Sequence, residues 1–315
     1  MTDVKAICKE LLDYEVNEEK TNKTNKPIII VGPDCTDKNK LRVYVNGGLL
    51  GKVYAGTHPK GKTELMNEDY DDYFPKTGAL RKLIKGANEK GIQNDTLTSP
   101  KYLQMGIQAI EERFKKTREA KEEGDNENER RVESRIVKKY MNTTADWAVV
   151  DMEVEFSSKM FPNAKFSPET TKAPRFDLVV IDECGIGIVE LKVNNENCTN
   201  MTSHYEHMEY VLTHPKIFHD EFVRRIELLK EFELISEKTA SSFDDLLQQG
   251  DIPIWCGFLF IGGGLEGAQK IAKVLEKKDR IQDIQFMYHD NDALEDLDIH
   301  KMLPYEMFSK LRRCN

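Results

Sequence analysis

The chain has 315 residues, of which 32% are charged and 39% hydrophobic, and its formal net charge at pH 7 is −9. A chain of this length usually forms about two domains. It contains no run of about 18 apolar residues, so no membrane span is predicted. The acidic balance argues against a protein coated in basic surface, but it leaves room for a nucleic-acid enzyme with a locally basic cleft. The N-terminus is charged and mixed and does not resemble a signal peptide, which predicts a cytoplasmic location. The six cysteines are scattered without a CxxC pair, which predicts reduced thiols.

The first 125 residues predict an α+β region with short strands. Asn46-Gly47 lies between two apolar runs, which is a strong hairpin signal. The polar segment Glu122–Glu129 predicts a domain boundary that separates residues 1–125 from residues 126–315. The elements expected before the boundary are a helix over Val4–Tyr14, strands over Pro27–Val31, Leu41–Val45 and Leu49–Tyr54, and helices over Thr77–Lys90 and Pro100–Lys121.

Residues 126–315 alternate between helical and strand patterns, and no internal repeat is visible. The order is a helix, three strands, then helix, strand, helix and strand. The expected elements are a helix over Glu127–Met141, strands over Ala148–Phe156, Phe176–Asp182 and Gly185–Val193, a helical stretch over Asn200–Phe232 interrupted near Pro215, a short helix over Phe243–Gln249, a strand over Pro253–Ile261, a helix over Leu265–Lys277 and a strand over Ile281–Tyr288.

The most informative feature is a pair of short apolar runs, Phe176–Asp182 and Gly185–Val193, which lie back to back and are rich in Val and Ile. A hairpin between them places Asp177 opposite Glu190, and paired residues of an antiparallel ladder have Cβ atoms about 5 Å apart on one face. The period of two along a strand places Lys192 on the same face. We therefore expect two carboxylates and one ammonium to converge on an otherwise apolar sheet.

Charges on a buried sheet are costly unless something compensates them. A divalent cation bound by Asp177 and Glu190 would compensate them. Carboxylate oxygens, with the remaining positions left to water and phosphate, suit Mg²⁺, with Mn²⁺ as a substitute. Lys192 would then hold or polarise an attacking water, or balance the charge of a phosphate. These residues predict metal-assisted hydrolysis of a phosphodiester.

The residues Pro174, Asp177 and Glu190-Leu191-Lys192 resemble the signature of the PD-(D/E)xK, or restriction-endonuclease-like, nuclease superfamily. The resemblance covers roughly residues 126–290, and it departs from the written signature in that Pro174 is not adjacent to Asp177. It implies an α/β fold with a restriction-endonuclease-like core, which is a mixed central sheet flanked by helices. It also implies that Asp177, Glu190 and the backbone carbonyl of Leu191 bind metal, and that Lys192 assists the water.

The helix expected over Glu127–Met141 supplies further candidates. Glu129 and Glu133 lie at helical spacing on the face of its apolar stripe, where an acidic side chain needs a partner. Many members of the superfamily carry a glutamate on this first helix, so the resemblance implies that one of these two completes the catalytic site. The alternative is that Glu129 complements the helix dipole. Glu153 and Glu155, on the next expected strand, are secondary candidates.

The helical stretch after the hairpin contains candidate substrate contacts. His204, His207, His214 and His219 lie within 16 residues, and His-x-x-His places two imidazoles on one helical face, as a zinc site would need. No cysteine pair completes a tetrahedral site, so solvated histidines are the alternative. In the superfamily a residue of this helix often lies near the scissile phosphate. The resemblance therefore implies that His204, Tyr205 and His207 contact the substrate.

Two glycine motifs point to nucleotide binding instead. Gly56–Thr63 fits the P-loop pattern GxxxxGK[ST], and Leu178–Glu183 resembles a Walker B strand, so an NTPase is an alternative. A working P-loop needs a buried strand before it and a long helix after it, whereas the segment Glu64–Phe74 that follows is dense in acidic residues. The triple glycine Gly262–Gly264 lacks the GxGxxG spacing and any clear βαβ unit with a downstream acidic residue for the ribose, and therefore predicts only a strand-to-helix turn.

The residues and the resemblance together predict a Mg²⁺-dependent nuclease, with DNA favoured over RNA and endonuclease action favoured. The resemblance implies restriction or antiviral defence as the context. The N-terminal region would select substrate, bind a partner protein or mediate assembly of a homo-oligomer. The basic segments Arg113–Arg118 and Arg130–Lys139 are interpreted as solvated helix faces. The alternative from another class is a non-catalytic module that keeps the fold in order to bind nucleic acid or protein.

Overall fold

The structure is a computed structural model. It describes residues 4–17, 28–34, 39–45, 48–55, 63–65, 103, 106, 107, 110, 126–141, 143, 145–156, 160, 161, 166, 175–194, 200–289, 294 and 296–312. The chain divides into two compact units. Unit 1 comprises residues 1–134 and 231–234, and unit 2 comprises residues 135–230 and 235–315. The expected helix over Thr77–Lys90 lies outside the described residues, as does the basic segment Arg113–Arg118.

Unit 1 is built on an antiparallel sheet in the order β1-β2-β3-β4. Its first helix buries Val4, Ile7, Cys8 and Leu11, the spacing of a single helical stripe. The predicted helix and strands of this region are confirmed. Of the helix expected over Pro100–Lys121, the described residues Leu103, Gly106, Ile107 and Ile110 are helical and buried. The described part of unit 1 contains α1 (Val4–Asn17), β1 (Ile29–Pro33), β2 (Lys40–Val45), β3 (Gly48–Tyr54) and β4 (Thr63–Leu65).

Unit 2 is a mixed α/β structure whose six-stranded sheet is flanked by helices. The sheet order is β10-β9-β8-β7-β6-β5, with β7, β8 and β9 parallel and the other pairs antiparallel. The elements are α2 (Asn126–Tyr140, which begins in unit 1), β5 (Ala148–Glu155), β6 (Arg175–Asp182), β7 (Gly185–Val193), α3 (Met201–Thr213), α4 (Pro215–Glu231), α5 (Glu237–Gln248), β8 (Ile254–Ile261), α6 (Leu265–Ala272), β9 (Ile284–His289), β10 (Leu303–Pro304) and α7 (Tyr305–Phe308).

The central hairpin of this sheet, β6 and β7, forms for identifiable local reasons. The Asp182 carboxylate accepts hydrogen bonds from the backbone N–H groups of Cys184 (2.8 Å) and Gly185 (3.0 Å), and this closes the turn. Gly185 has φ 141°, and a Cβ there would lie 2.2 Å from the carbonyl oxygen of Pro253, so only glycine fits. Every residue of β7 is buried, as expected for a strand covered on both faces.

Most predicted elements of unit 2 are confirmed, and the differences have local causes. Helix α5 begins at Glu237, earlier than expected, because the Ser236 hydroxyl accepts from the N–H of Thr239 and caps it. Helix α6 ends at Ala272, and a 3₁₀ turn over Lys273–Leu275 follows it. Strand β9 begins only at Ile284, after a 3₁₀ turn. The sequence analysis did not predict β10 or α7, which are two and four residues long.

Candidate functional site

The register of the hairpin brings Asp177 and Glu190 to the same level of the sheet. Leu178 pairs with Val189, and the pairing continues in order to Asp182 and Gly185 at the turn. The ladder ends at the Leu178–Val189 pair, and the next positions along the two strands are Asp177 and Glu190. Across an antiparallel ladder such residues project on the same face.

The peptide groups of Leu191 tie these side chains together. Its backbone N–H donates to Oδ2 of Asp177 at 2.7 Å, and its carbonyl oxygen accepts from Nζ of Lys192 at 2.9 Å. Nζ of Lys192 also donates to Oε1 of Glu190 at 2.9 Å. Asp177 and Lys192 thus contact the backbone of Leu191, and Lys192 also contacts Glu190. We call these four residues the β7 cluster.

Helix α3 adds a second basic group to Glu190. Nδ1 of His204 lies 3.0 Å from Oε1 of Glu190, an ion-pair distance, although the ring is not aligned for a hydrogen bond. The Glu190 and Lys192 side chains are only 2% and 3% exposed, whereas that of His204 is 21% exposed. The second carboxylate oxygen of Glu190, Oε2, is buried without a hydrogen-bond partner.

The charge state of Glu190 follows from its neighbours. Burial raises the pKa of the Glu190 carboxyl, but the positive charges of His204 and Lys192 outweigh burial and lower its pKa to about 2. The carboxylate is therefore ionised at neutral pH despite being buried. A buried anion held by two basic side chains is a charged site inside an otherwise apolar sheet.

The donor set of the β7 cluster fits a small divalent cation. It offers carboxylate oxygens from Asp177 and Glu190 and a backbone carbonyl oxygen from Leu191, all hard oxygen donors of the kind that Mg²⁺ prefers. The Lys192 ammonium donates hydrogen bonds to Glu190 and to the Leu191 carbonyl. These oxygens are therefore already in contact with a positively charged group. Among the described residues, no group of three or more His, Cys, Asp or Glu side chains is arranged to hold a metal ion. The β7 cluster contains only two such side chains.

Tyr205 and His207, the other predicted substrate contacts, lie apart from the carboxylates. Tyr205 is buried, its hydroxyl donates to Glu209 (3.1 Å) and accepts from the N–H of Arg280 (3.0 Å), and burial raises its pKa to about 12. His207 is buried against the rings of Phe161, Phe166 and Phe176. Of the three predicted contacts, only His204 lies against Glu190.

The four histidines predicted as an alternative zinc site have separate surroundings. His204 contacts Glu190, and His207 lies among aromatic rings with neither ring nitrogen hydrogen-bonded. His214 is exposed and stacks on Tyr210 at 4.2 Å, while Nδ1 of His219 lies 3.3 Å from Asp220. The structure does not gather these side chains around one point.

The remaining glutamates fall into two groups. Glu129 is half-buried and Glu133 is buried, and both belong to the part of α2 that lies in unit 1. Their part in the site stays a prediction. In unit 2, Glu153 is buried with φ 51° and forms an ion pair with Arg175, and Glu155 is paired with Arg175 in the β5–β6 ladder.

The glycine motifs do not build nucleotide sites in the described part of the chain. Residues 56–62 of the P-loop match lie outside it, but Thr63 begins strand β4, which pairs with β3, where a P-loop requires a helix. Gly262, Gly263 and Gly264 all have positive φ and form the predicted turn from β8 to α6. Strands β8 and β9, which lie on either side of α6, are parallel and form a βαβ unit around this turn.

One charged pair was not predicted. Arg225 on α4 and Asp151 on β5 form an ion pair, and both side chains are 2% exposed. Nε of Arg225 also donates to Glu221 at 2.8 Å, and the ladder between β5 and β6 shifts register between Val149 and Asp151. No sequence signal links these two residues, which are 74 positions apart. The one indication in the sequence is that Arg225 lies on the apolar stripe of α4, where a cation needs a partner.

Comparisons with known proteins identify no relative: no protein-family model, no curated protein and no solved structure matches the chain. Among the described residues, no helix is both long enough and apolar enough to cross a membrane. The chemistry of the site therefore has to be argued from its own residues.

Proposed function

We propose that this protein is a metal-dependent nuclease of the PD-(D/E)xK, or restriction-endonuclease-like, superfamily and that it cleaves DNA internally. The observation that supports the proposal most is the β7 cluster. Asp177 comes from one strand, Glu190 and Lys192 come from the next, and Leu191 between them contacts both sides. The mixed six-stranded sheet with flanking helices is compatible with such a core.

In the proposed mechanism, Asp177, Glu190 and the Leu191 carbonyl hold Mg²⁺ or Mn²⁺. When bound, the ion would supply Lewis-acid stabilisation of the phosphate charge and would make a coordinated water more acidic. Asp177 is held toward β7 by the N–H of Leu191, which fixes its position before substrate arrives. Glu190 brings a buried, ionised carboxylate whose Oε2 has no hydrogen-bond partner in the structure.

The basic side chains then act on the substrate. Lys192 donates to the attacking water or balances the charge that develops on the phosphate, as a buried ammonium beside a carboxylate can do. His204 is the more exposed of the two bases beside Glu190 and is the candidate for contact with a backbone phosphate. The N-terminal region is proposed to select substrate or to bind a partner.

The test is a cleavage assay with Mg²⁺ or Mn²⁺ on circular and linear duplex DNA, single-stranded DNA and RNA. Wild type is compared with Asp177→Asn, Glu190→Gln and Lys192→Met. Each substitution is expected to lower the rate by roughly 10²-fold or more, because each removes a metal ligand or the ammonium that contacts the water or the phosphate. The matched control is Asp244→Asn, which removes a half-exposed carboxylate paired with Lys230 on another helix.

Cutting of circular duplex DNA by wild type and by Asp244→Asn, lost in the three site variants, supports the proposal. Cutting that persists in Asp177→Asn and Glu190→Gln contradicts it, because the activity would then come from elsewhere in the chain or from a contaminant. Preferential cutting of RNA would keep the site and change the substrate.

A further inference from the structure

The Lys192 ammonium contacts two of the atoms that are proposed to bind the metal in the β7 cluster. Its Nζ is 2.9 Å from Oε1 of Glu190 and 2.9 Å from the carbonyl oxygen of Leu191. These two atoms are two of the three ligands in the proposed metal site. The side chain is 3% exposed, so the contact is made inside the protein and not in bulk water.

We propose that Lys192 is a built-in placeholder for the metal, an ammonium that neutralises Glu190 until a divalent cation displaces it from the Leu191 carbonyl and from Glu190. This inference rests on the proposed nuclease function, since it concerns the same cation site. It assigns Lys192 a second role besides water activation. Metal binding and delivery of the Lys192 ammonium toward the substrate become one coupled event.

Electrostatics supports the exchange. A buried carboxylate needs a compensating charge, and in the structure Lys192 and His204 provide it at about 3 Å. A divalent ion brings twice the charge of the ammonium to the same oxygens, at a distance of about 2.1 Å for Mg²⁺. The ammonium and the ion repel each other, so both cannot keep the same two ligand atoms.

The two ends of the cluster respond differently to the exchange. Asp177 is held by the N–H of Leu191, a contact that involves neither the ammonium nor the Leu191 carbonyl. The proposed exchange therefore does not require this contact of Asp177 to break. His204 contacts the same Glu190 oxygen from α3 and keeps a basic group beside the carboxylate throughout the exchange.

The inference predicts that removal of the ammonium strengthens metal binding while it abolishes cleavage. In Lys192→Met the side chain keeps its length and loses its charge, so the competing cation is gone. The full-length protein is titrated with Mn²⁺ alone, without nucleic acid, by isothermal titration calorimetry. The dissociation constant for Lys192→Met is expected to be about tenfold lower than that of wild type, or lower still, because the repulsion between ammonium and ion is relieved.

Three further proteins make the titration interpretable. Glu190→Gln and Asp177→Asn are expected to lose Mn²⁺ binding at the concentrations where wild type binds. Lys278→Met is the matched control, because Lys278 also pairs with a glutamate of unit 2, Glu206 at 3.6 Å, but contacts no ligand atom of the β7 cluster. Its dissociation constant is expected to equal that of wild type.

The outcomes separate this inference from the function on which it rests. If wild type and Lys192→Met both fail to bind Mn²⁺, or if binding survives in Glu190→Gln and Asp177→Asn, the proposed metal site is wrong. If wild type binds through Asp177 and Glu190 but Lys192→Met binds no more tightly, the site stands and the placeholder is wrong. Should Lys192→Met not fold, the ¹⁵N resonance of the Lys192 ammonium in wild type decides. For this measurement the protein is titrated with Mg²⁺ in place of Mn²⁺. The chemical shift of the ammonium must change if the ammonium moves, and an unchanged shift at saturating Mg²⁺ overturns the inference.

Discussion

Glu190 is the residue on which the site depends, because it is a buried anion with two basic neighbours. Removing one partner of a buried ion pair leaves the other charge uncompensated, which is usually more damaging than replacing the whole pair. In Glu190→Gln the Lys192 ammonium would lose the negative charge of its Glu190 partner. The residue therefore links stability and function at one position.

We predict that Glu190→Gln lowers the free energy of unfolding by about 3–5 kcal/mol, in addition to its effect on cleavage. Urea denaturation at pH 7.5 measures this change. The exposed-pair control Asp244→Asn is expected to lose about 1 kcal/mol or less, because its pair with Lys230 is partly solvated. An equal loss in the two variants would contradict the description of Glu190 as a buried, paired carboxylate.

His207, on the same helix as His204, provides a pH-dependent prediction. Burial among aromatic rings, with a smaller contribution from the charge of His204, lowers the pKa of His207 from 6.5 to about 4. The unfolded chain therefore binds one more proton than the folded protein between these pH values. The contribution to stability is complete above pH 6.5 and is lost as the pH falls toward 4.

Accordingly, His207→Phe is expected to reduce the loss of stability between pH 6.5 and pH 4, since phenylalanine suits the aromatic site and cannot take up a proton. Urea denaturation across this range measures the slope of stability against pH. His214→Phe is the control, because it removes an exposed histidine and leaves the buried ring in place. A slope in His207→Phe equal to that of wild type would show that another group causes the acid sensitivity.

At the residue scale, the sequence predicted the convergence of Asp177, Glu190 and Lys192 because strand period and hairpin length determine it. It also placed His204 near this group. It could not rank His204 above Tyr205 and His207, because that depends on how α3 is rotated against the sheet. The contacts of Lys192 with both Glu190 and the Leu191 carbonyl could not be predicted either. They depend on the side-chain rotamer, which is set by packing and not by the spacing of residues along the strand.

At the scale of elements, strand β5 and helix α4 are joined by the buried pair of Asp151 and Arg225. Asp151 lies where the β5–β6 ladder shifts register, and one of its oxygens also accepts from the N–H of Met152 at 2.8 Å. Arg225 lies over the ring of Phe156 as well, 5.8 Å from its centroid. A charged pair thus fixes a helix on an irregular part of the sheet.

We predict that Arg225→Met lowers the free energy of unfolding by about 3–5 kcal/mol, because it leaves the Asp151 carboxylate buried without its main cationic partner. The second change, Asp151→Asn, in the same chain should recover part of this loss. Urea denaturation of wild type, the two single variants and the double variant gives the coupling energy. Losses that simply add would show that the two side chains act independently.

Elements with a strong hydrophobic pattern were predicted well, from the N-terminal helix to strand β8. The failures are short or depend on distant partners. Strand β10 has two residues and exists because it pairs with Phe286 and Gln285 of β9. Helix α7 has four residues and is held by the stacking of Phe308 on Phe260 and Phe286. Neither contact leaves a periodic pattern in the sequence.

At the scale of the whole molecule, the chain consists of two compact units, and the β7 cluster lies wholly in unit 2. The sequence placed the boundary before the helix that begins at Asn126, whereas the compact units divide that helix after Ser134. Unit 1 has its own buried charge, Asp34, paired with Lys52 at 2.6 Å. Each unit therefore offers an internal ion pair that can be broken separately.

We predict that Lys52→Met destabilises the protein without changing its affinity for Mn²⁺, because the residues proposed to bind the ion all belong to unit 2. Thermal unfolding measures the first effect and calorimetric titration the second. Lys192→Met, by contrast, changes the affinity for Mn²⁺ through the β7 cluster. A weakened Mn²⁺ affinity in Lys52→Met would place part of the metal site in unit 1.

If Asp177 and Glu190 form a metal site that cleaves DNA, cleavage of a plasmid must require both Mg²⁺ and the Asp177 carboxylate. Conversion of supercoiled plasmid to open-circular and linear DNA is followed at saturating Mg²⁺ for wild type, Asp177→Asn and Asp244→Asn. We expect wild type and Asp244→Asn to convert the supercoiled plasmid in the presence of Mg²⁺, and we expect Asp177→Asn not to convert it. Equal conversion by all three proteins, or conversion that persists in EDTA, would contradict it.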